Sequence, residues 1–127
     1  MEKIFLVGTG GFIGAVLRYF VSGYVQEWTK HKSFPFGTLA VNLIGCLVIG
    51  LLSQIAETRG VFTGESRSML FIGVLGAFTT FSSFSNETIN LMQDGKSSLA
   101  MMSVGAHLLL GLAAVRVGRN LAYHMGI

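Results

Sequence analysis

Between Gly76 and Glu87 the chain sets five hydroxyls, an amide and a carboxylate inside a segment that is otherwise apolar. The run reads Gly76-Ala77-Phe78-Thr79-Thr80-Phe81-Ser82-Ser83-Phe84-Ser85-Asn86-Glu87, with a phenylalanine at every third position from Phe78 to Phe84. In hydrocarbon a polar group without a partner costs several kcal/mol, so these residues need each other, water or an ion. Neighbouring Thr and Ser side chains compete for backbone hydrogen bonds and cap or bend helices. The run therefore predicts a break near Gly76 to Thr80, with a fresh helix starting between Ser82 and Ser85. Broken helices at membrane depth are tolerated where they line a site, because freed carbonyls bind cations and freed amides bind anions.

The remainder of the chain reads as a hydrophobic frame for this run. Charged residues make up 12%, half the share usual in soluble domains. Hydrophobic residues are 51% and mean hydropathy is +0.63, leaving no polar shell to cover a core. An all-α integral membrane protein follows, a single four-helix transmembrane domain over residues 1–127. Its spans fall at 4–25, 37–55, 69–92 and 98–115, each near the length that crosses a bilayer. The net charge of +3 does not point to nucleic acid, because the basic residues are scattered singly instead of clustered with aromatics. One cysteine, Cys46, excludes an internal disulfide.

The first span makes a poor signal peptide, since Gly8, Gly10, Gly11 and Gly14 dilute the apolar stretch and Arg18 interrupts it. Val7-Gly8-Thr9-Gly10-Gly11-Phe12-Ile13-Gly14 looks like a dinucleotide turn, but no βαβ unit follows it. Gly10 with Gly14, and Gly11 with Ala15, are small-xxx-small pairs that let helices approach closely in lipid. A polar loop follows, with Tyr24 and Trp28 suited to the membrane interface and Pro35 suited to a helix start. In the second span Thr38, Asn42 and Gly45 share one face, and Asn42 puts an amide near mid-membrane. Asp94-Gly95-Lys96 makes a turn. The fourth span stacks Ser103 and His107 at i, i+4.

Four spans put both termini on one side, together with Lys3, Arg59, Arg67, Arg116 and Arg119. The other side carries Lys30, Lys32 and Lys96, joined by Arg18 if it snorkels that way. This is a feeble bias under the positive-inside rule. Insertion both ways up is compatible with it, and so is a single orientation. A four-helix chain this small needs a partner to enclose a solvated path, and a homodimer is the simplest closed answer.

At Gly11-Phe12-Ile13-Gly14-Ala15-Val16-Leu17-Arg18-Tyr19 the chain begins to resemble the CrcB/Fluc family of fluoride channels. Phe36-Gly37-Thr38-Leu39-Ala40-Val41-Asn42, with Gly45 and Gly50, strengthens the resemblance, and Gly73 through Glu87 makes it specific. The resemblance covers all four spans in order. It implies an antiparallel, dual-topology homodimer in the cell (inner) membrane that conducts fluoride passively and confers fluoride resistance. It also implies a structural sodium ion held by backbone carbonyls of Gly76 and Thr79 at the break in the third helix. Phe81 and Phe84 match the phenylalanines whose ring edges line the ion path. Asn42 matches an amide pointing into that path, with Thr80, Ser82 and Ser83 beside it; Ser83 stands where the family more often has Thr. Ser103 and His107 fall at polar-track positions of the fourth helix, where residue types vary.

Elementary chemistry agrees with that assignment. Fluoride is small and strongly hydrated, so a path must replace its water with donors, which hydroxyls and an amide supply. A phenyl ring has a positive edge that an anion can pass. No full positive charge need sit in the path, which helps the ion leave again. Each residue also has a plainer role. Phe81 and Phe84 could pack against lipid or core, and Asn42 could glue helices together. Arg18 serves as a vestibule or structural residue, snorkelling to headgroups. Glu87 is likewise a vestibule or structural residue, acting near the anion path or paired with a cation or a helix end, and His107 and Cys46 pack.

Three other functions compete, one of them a non-conducting assembly subunit, which zero ion flux from purified protein in liposomes would support. A small dual-topology, proton-coupled exporter needs a carboxylate early in the bundle, and the first two spans contain none. A membrane enzyme needs a metal-ligand cluster or a nucleophile with a base; neither is present, so no catalytic residue is assigned. The partners the resemblance implies are fluoride, membrane lipid and a second copy of the chain.

Overall fold

The computed structural model describes residues 1–127 and contains helices and connecting turns without a strand. Four helical runs are long and apolar enough to cross a membrane, Glu2–Thr29, Phe36–Arg59, Gly64–Gln93 and Ser97–His124. Each extends past the predicted span by a turn or more, because polar interfacial residues continue the helical hydrogen-bonding beyond the apolar core.

Helix α1 is Glu2–Thr29 and α2 is Phe36–Arg59. Their connection is stapled by Gln26, whose Nε2 donates to the Phe34 carbonyl (3.0 Å) while its Oε1 accepts from the Gly37 amide (3.1 Å). Gly60 closes α2 in the left-handed region (φ 58°), where a Cβ would be strained. The third span starts at Thr63, whose side chain caps Gly64–Arg67. It continues as a π-helix over Ser68–Leu75 and a single α turn, Gly76–Phe78; these three pieces together are α3. Thr79 and Thr80 are extended, and α4 then runs Phe81–Gln93. The final span, α5, is Ser97–Gly105, a π-helical segment Ala106–Leu110, and Gly111–His124.

Two glycine seams hold these helices together. A Cβ at Gly14 would strike the Val74 carbonyl and one at Gly10 the Met69 carbonyl, while Gly73 fits against Val7 and Gly10 from the other side. That seam fastens α3 to α1. A Cβ at Gly50 would strike the Val115 carbonyl, and one at Gly118 the Leu47 carbonyl, which fastens α5 to α2. In lipid, helices gain little from expelling one another's apolar surface, so close backbone approach of this kind supplies the attraction. The second small-residue pair of α1 meets no helix of its own chain at Gly11. A Cβ at Gly11 would meet nothing within 4 Å, because the helix turns Gly10 and Gly14 toward α3 and leaves Gly11 on the next face.

Only 20 of 127 residues are buried, and large apolar side chains such as Phe5, Phe12, Phe20, Leu109 and Leu112 are exposed around the bundle. So much apolar surface requires a covering other than water.

Candidate functional site

The site grows from the place where α3 stops. Thr79 (φ −85°, ψ 157°) and Thr80 (φ −151°, ψ 111°) leave helical geometry, and the Asn42 side chain of α2 takes over the backbone bonding that the helix gives up. Asn42 Oδ1 accepts from the Thr80 amide at 2.8 Å, and Asn42 Nδ2 donates to the Thr80 carbonyl at 3.1 Å. Thr80 is in turn the N-cap of α4. Its Oγ1 accepts from the Ser83 amide (3.2 Å), donates to Ser83 Oγ (3.0 Å) and lies 3.3 Å from Ser82 Oγ. The new helix therefore begins at Phe81, slightly before the expected start, because Thr80 and not a serine does the capping.

These bonds release specific carbonyls. In an unbroken helix the Gly76 carbonyl would accept from the Thr80 amide and the Thr79 carbonyl from the Ser83 amide. The Thr80 amide is taken by Asn42 and the Ser83 amide by the Thr80 hydroxyl. Both carbonyls are left without their helical donors at the negative end of α3. A hard cation with oxygen preference fits such a donor set. No three His, Cys, Asp or Glu side chains gather to hold a metal, so a cation here would rest on main-chain oxygen.

Gly45 makes room for the break. A Cβ there would strike the Thr79 methyl. Thr79 is further pinned by its own hydroxyl, which donates to the Leu75 carbonyl at 2.9 Å.

Two cavities meet at Thr80. One is an open groove of about 520 Å³ lined by Asn42, Cys46, Gly76, Thr79, Thr80, Phe81, Phe84 and His107, among others. The other, about 450 Å³, is lined by Arg18, Thr38, Thr80, Ser83 and Glu87 with neighbours from α1. Glu87 also lines a third hollow of about 770 Å³ at the loop end of the bundle, beside Lys30, Lys32 and Lys96. Thr80 and Glu87 are thus the residues shared between successive hollows.

Most of the residues singled out from sequence come together here. Asn42, Gly76, Thr79, Thr80, Phe81, Phe84 and His107 line the groove; Arg18, Ser83 and Glu87 line the adjoining cavity. The two phenylalanines lie 5.5 Å apart between ring centroids at 57°. Phe84 is half-buried and stacked on the His107 imidazole (4.2 Å, 38°), whereas Phe81 is 77% exposed at the rim. Ser82 is exposed and lines neither cavity. Ser103 is fully buried and reaches the groove only through His107, whose Nδ1 lies 2.9 Å from the Ser103 carbonyl and 3.5 Å from its hydroxyl.

Glu87 corrects one expectation. It pairs with neither a cation nor a helix end: Oε1 accepts from the Thr38 hydroxyl at 2.7 Å, and Oε2 is buried without a partner. The ion pair of the structure lies elsewhere, between Arg119 and Glu57 at 2.9 Å. Thr38 sits one turn before Asn42 on the α2 face that meets α4, so the hydroxyl reaches Glu87 first. Thr38 lines the cavity beside Glu87 without having been singled out as a candidate from the sequence. Its position on the Asn42 face was the available signal.

A family model described as "CrcB-like protein, Camphor Resistance (CrcB)" matches residues 5–119. The chain belongs to the CrcB family. A "Fluoride-specific ion channel FluC 1" of Methanosarcina acetivorans is 44% identical over 98% of this chain and 94% of its own length. A "Fluoride-specific ion channel FluC" of Parabacteroides distasonis is 46% identical over 93% of this chain and 91% of its own. Another, of Methylobacillus flagellatus, is 38% identical over 95% and 94%. With four membrane-length helices, this CrcB-family chain is a multi-pass protein of the cell membrane.

Proposed function

We propose that the chain is a fluoride-selective ion channel giving passive fluoride efflux, and that two copies assemble antiparallel to form it. The observation that carries this reading is the groove at the break. It combines the Asn42 amide donor with phenylalanine edges and is lined by no fixed charge. Asn42 spends one Nδ2 hydrogen on Thr80 and has a second to offer. The Phe81 and Phe84 edges are partially positive and let a dehydrated anion pass without trapping it. Fluoride would move from the loop-end hollow past Glu87 and the Ser83 hydroxyl to Thr80, then into the groove.

The second copy is supported by exposure. Gly76 and Phe81 face outward from a single chain, so the groove has one open side, and a symmetry-related chain would close it. The near-even distribution of basic residues is compatible with insertion in both orientations. The Gly76 and Thr79 carbonyls would hold a structural sodium ion. When bound, that cation compensates main-chain oxygens that otherwise lack donors.

Phe81→Ile and Phe84→Ile test the ring edges. In proteoliposomes either substitution reduces fluoride flux at least about tenfold, a change of about 1.4 kcal/mol in barrier, while the dimer stays assembled by size-exclusion chromatography. Undiminished flux in both variants would remove the rings from the mechanism.

A further inference from the structure

We propose that His107 contacts fluoride only while its Nε2 carries a proton, so that conduction through this chain rises as the medium is acidified. The inference rests on the fluoride-channel reading above. His107 Nδ1 lies 2.9 Å from the Ser103 carbonyl. A carbonyl oxygen can only accept, so Nδ1 holds the hydrogen, and in the neutral ring Nε2 is then a bare lone pair. Nε2 is buried and has no partner within the chain, although the residue lines the groove. A lone pair repels an anion. A hydroxyl at this position would donate at every pH, whereas an imidazole held in this tautomer donates into the groove only after it gains a second proton.

The proton comes from bulk water, binds the Nε2 lone pair and makes an N–H that forms a charge-assisted hydrogen bond to fluoride. When fluoride moves on, the proton can return to water, and no other bond changes. The Phe84 ring packs against the imidazole, 4.2 Å away at 38°. The surroundings leave the titration to this residue. From α2 the groove presents Asn42 and Cys46, from α3 Phe71 and Leu75, and from α4 Phe81 and Phe84; Cys46 is the other titratable group, and no Asp, Glu, Lys or Arg lines the groove. Glu87, on α4, lines the two neighbouring hollows instead.

The test is fluoride efflux from vesicles, read with a fluoride electrode at two pH values bracketing the imidazole range and corrected for leak through protein-free vesicles. Wild-type flux is at least about threefold faster near pH 6 than near pH 8, and His107→Thr conducts with no such difference. A flat wild-type profile, or the same slope in His107→Thr, would overturn the proposal. Conduction without pH dependence sinks this inference alone; no conduction at either pH sinks the channel reading and this inference with it. A second measurement does not depend on the variant folding. The chain has three histidines, so His31→Gln with His124→Gln leaves His107 as the only imidazole for nitrogen NMR. The neutral ring shows the Nδ1–H form, and saturating fluoride, unlike chloride, raises its titration midpoint by about half a pH unit or more. An Nε2–H form, or an unmoved midpoint, would contradict the proposal.

Discussion

Residues 68–78 and 81–93 belong to one membrane span yet are held by different physics. The first stretch is apolar, π-helical over Ser68–Leu75, and lies against α1 through Gly10, Gly14 and Gly73, with backbone touching backbone. The second is rich in hydroxyls and is held by side-chain bonds from α2, through Asn42 to Thr80 and Thr38 to Glu87. Close packing fixes position over a long seam and frees no main-chain group before the Gly76 carbonyl at its end. Side-chain bonding fixes two points and leaves hydroxyls and a carboxylate oxygen over. The difference places the chemically available groups on one side of the break and the rigidity on the other, which is what a conduction path on a stable frame requires.

The largest expected effect on that contrast comes from Asn42→Leu. Losing both bonds strands the Thr80 amide and carbonyl in a nonaqueous setting, at about 1–3 kcal/mol each. The variant therefore loses fluoride flux and shows a marked fall in thermal midpoint in detergent. If its stability were unchanged, the break would not depend on α2. Next comes Gly14→Ala, which pushes a methyl against the Val74 carbonyl. Overpacking of this kind costs about 1–3 kcal/mol, so the midpoint falls, while Gly11→Ala, on the open face of α1 within one chain, leaves the fold of the single chain intact. Equal effects on the monomer fold would erase the distinction between the two faces.

Thr80→Val removes the N-cap of α4 while keeping the shape, a loss of about 1 kcal/mol; Thr80→Ser recovers most of it. Amide exchange at Ser83 checks this, since its partner is the Thr80 hydroxyl. The smallest change is expected from Thr38→Val. It deletes one hydrogen bond to Glu87, worth about 1 kcal/mol, and frees the carboxylate to turn. Flux then changes more than stability does. A pure stability loss with unaltered flux would make Thr38 a structural residue only.

The spans were legible because apolar runs of membrane length admit few other structures, and Gly10 with Gly14 announced a seam by spacing alone. The polar character of residues 79–87 was equally plain. What the sequence could not convey was rotation. Whether Gly10 or Gly11 faces α3, and whether Glu87 finds a cation or the Thr38 hydroxyl, depends on how whole helices turn against each other. The π-helical segments Ser68–Leu75 and Ala106–Leu110 were also hidden, since no residue type marks them as proline would mark a kink. Asn42 was recognised as an amide at mid-membrane. That it bonds both sides of the Thr80 backbone is a contact across 38 positions, beyond any local pattern.

Fluoride efflux from liposomes carrying the purified protein, with chloride as competitor, tests the central claim most directly. Vesicles with the protein release fluoride far faster than bare ones, and excess chloride leaves that release unchanged. Equal release from protein-containing and protein-free vesicles, or chloride passing as readily as fluoride, would contradict it.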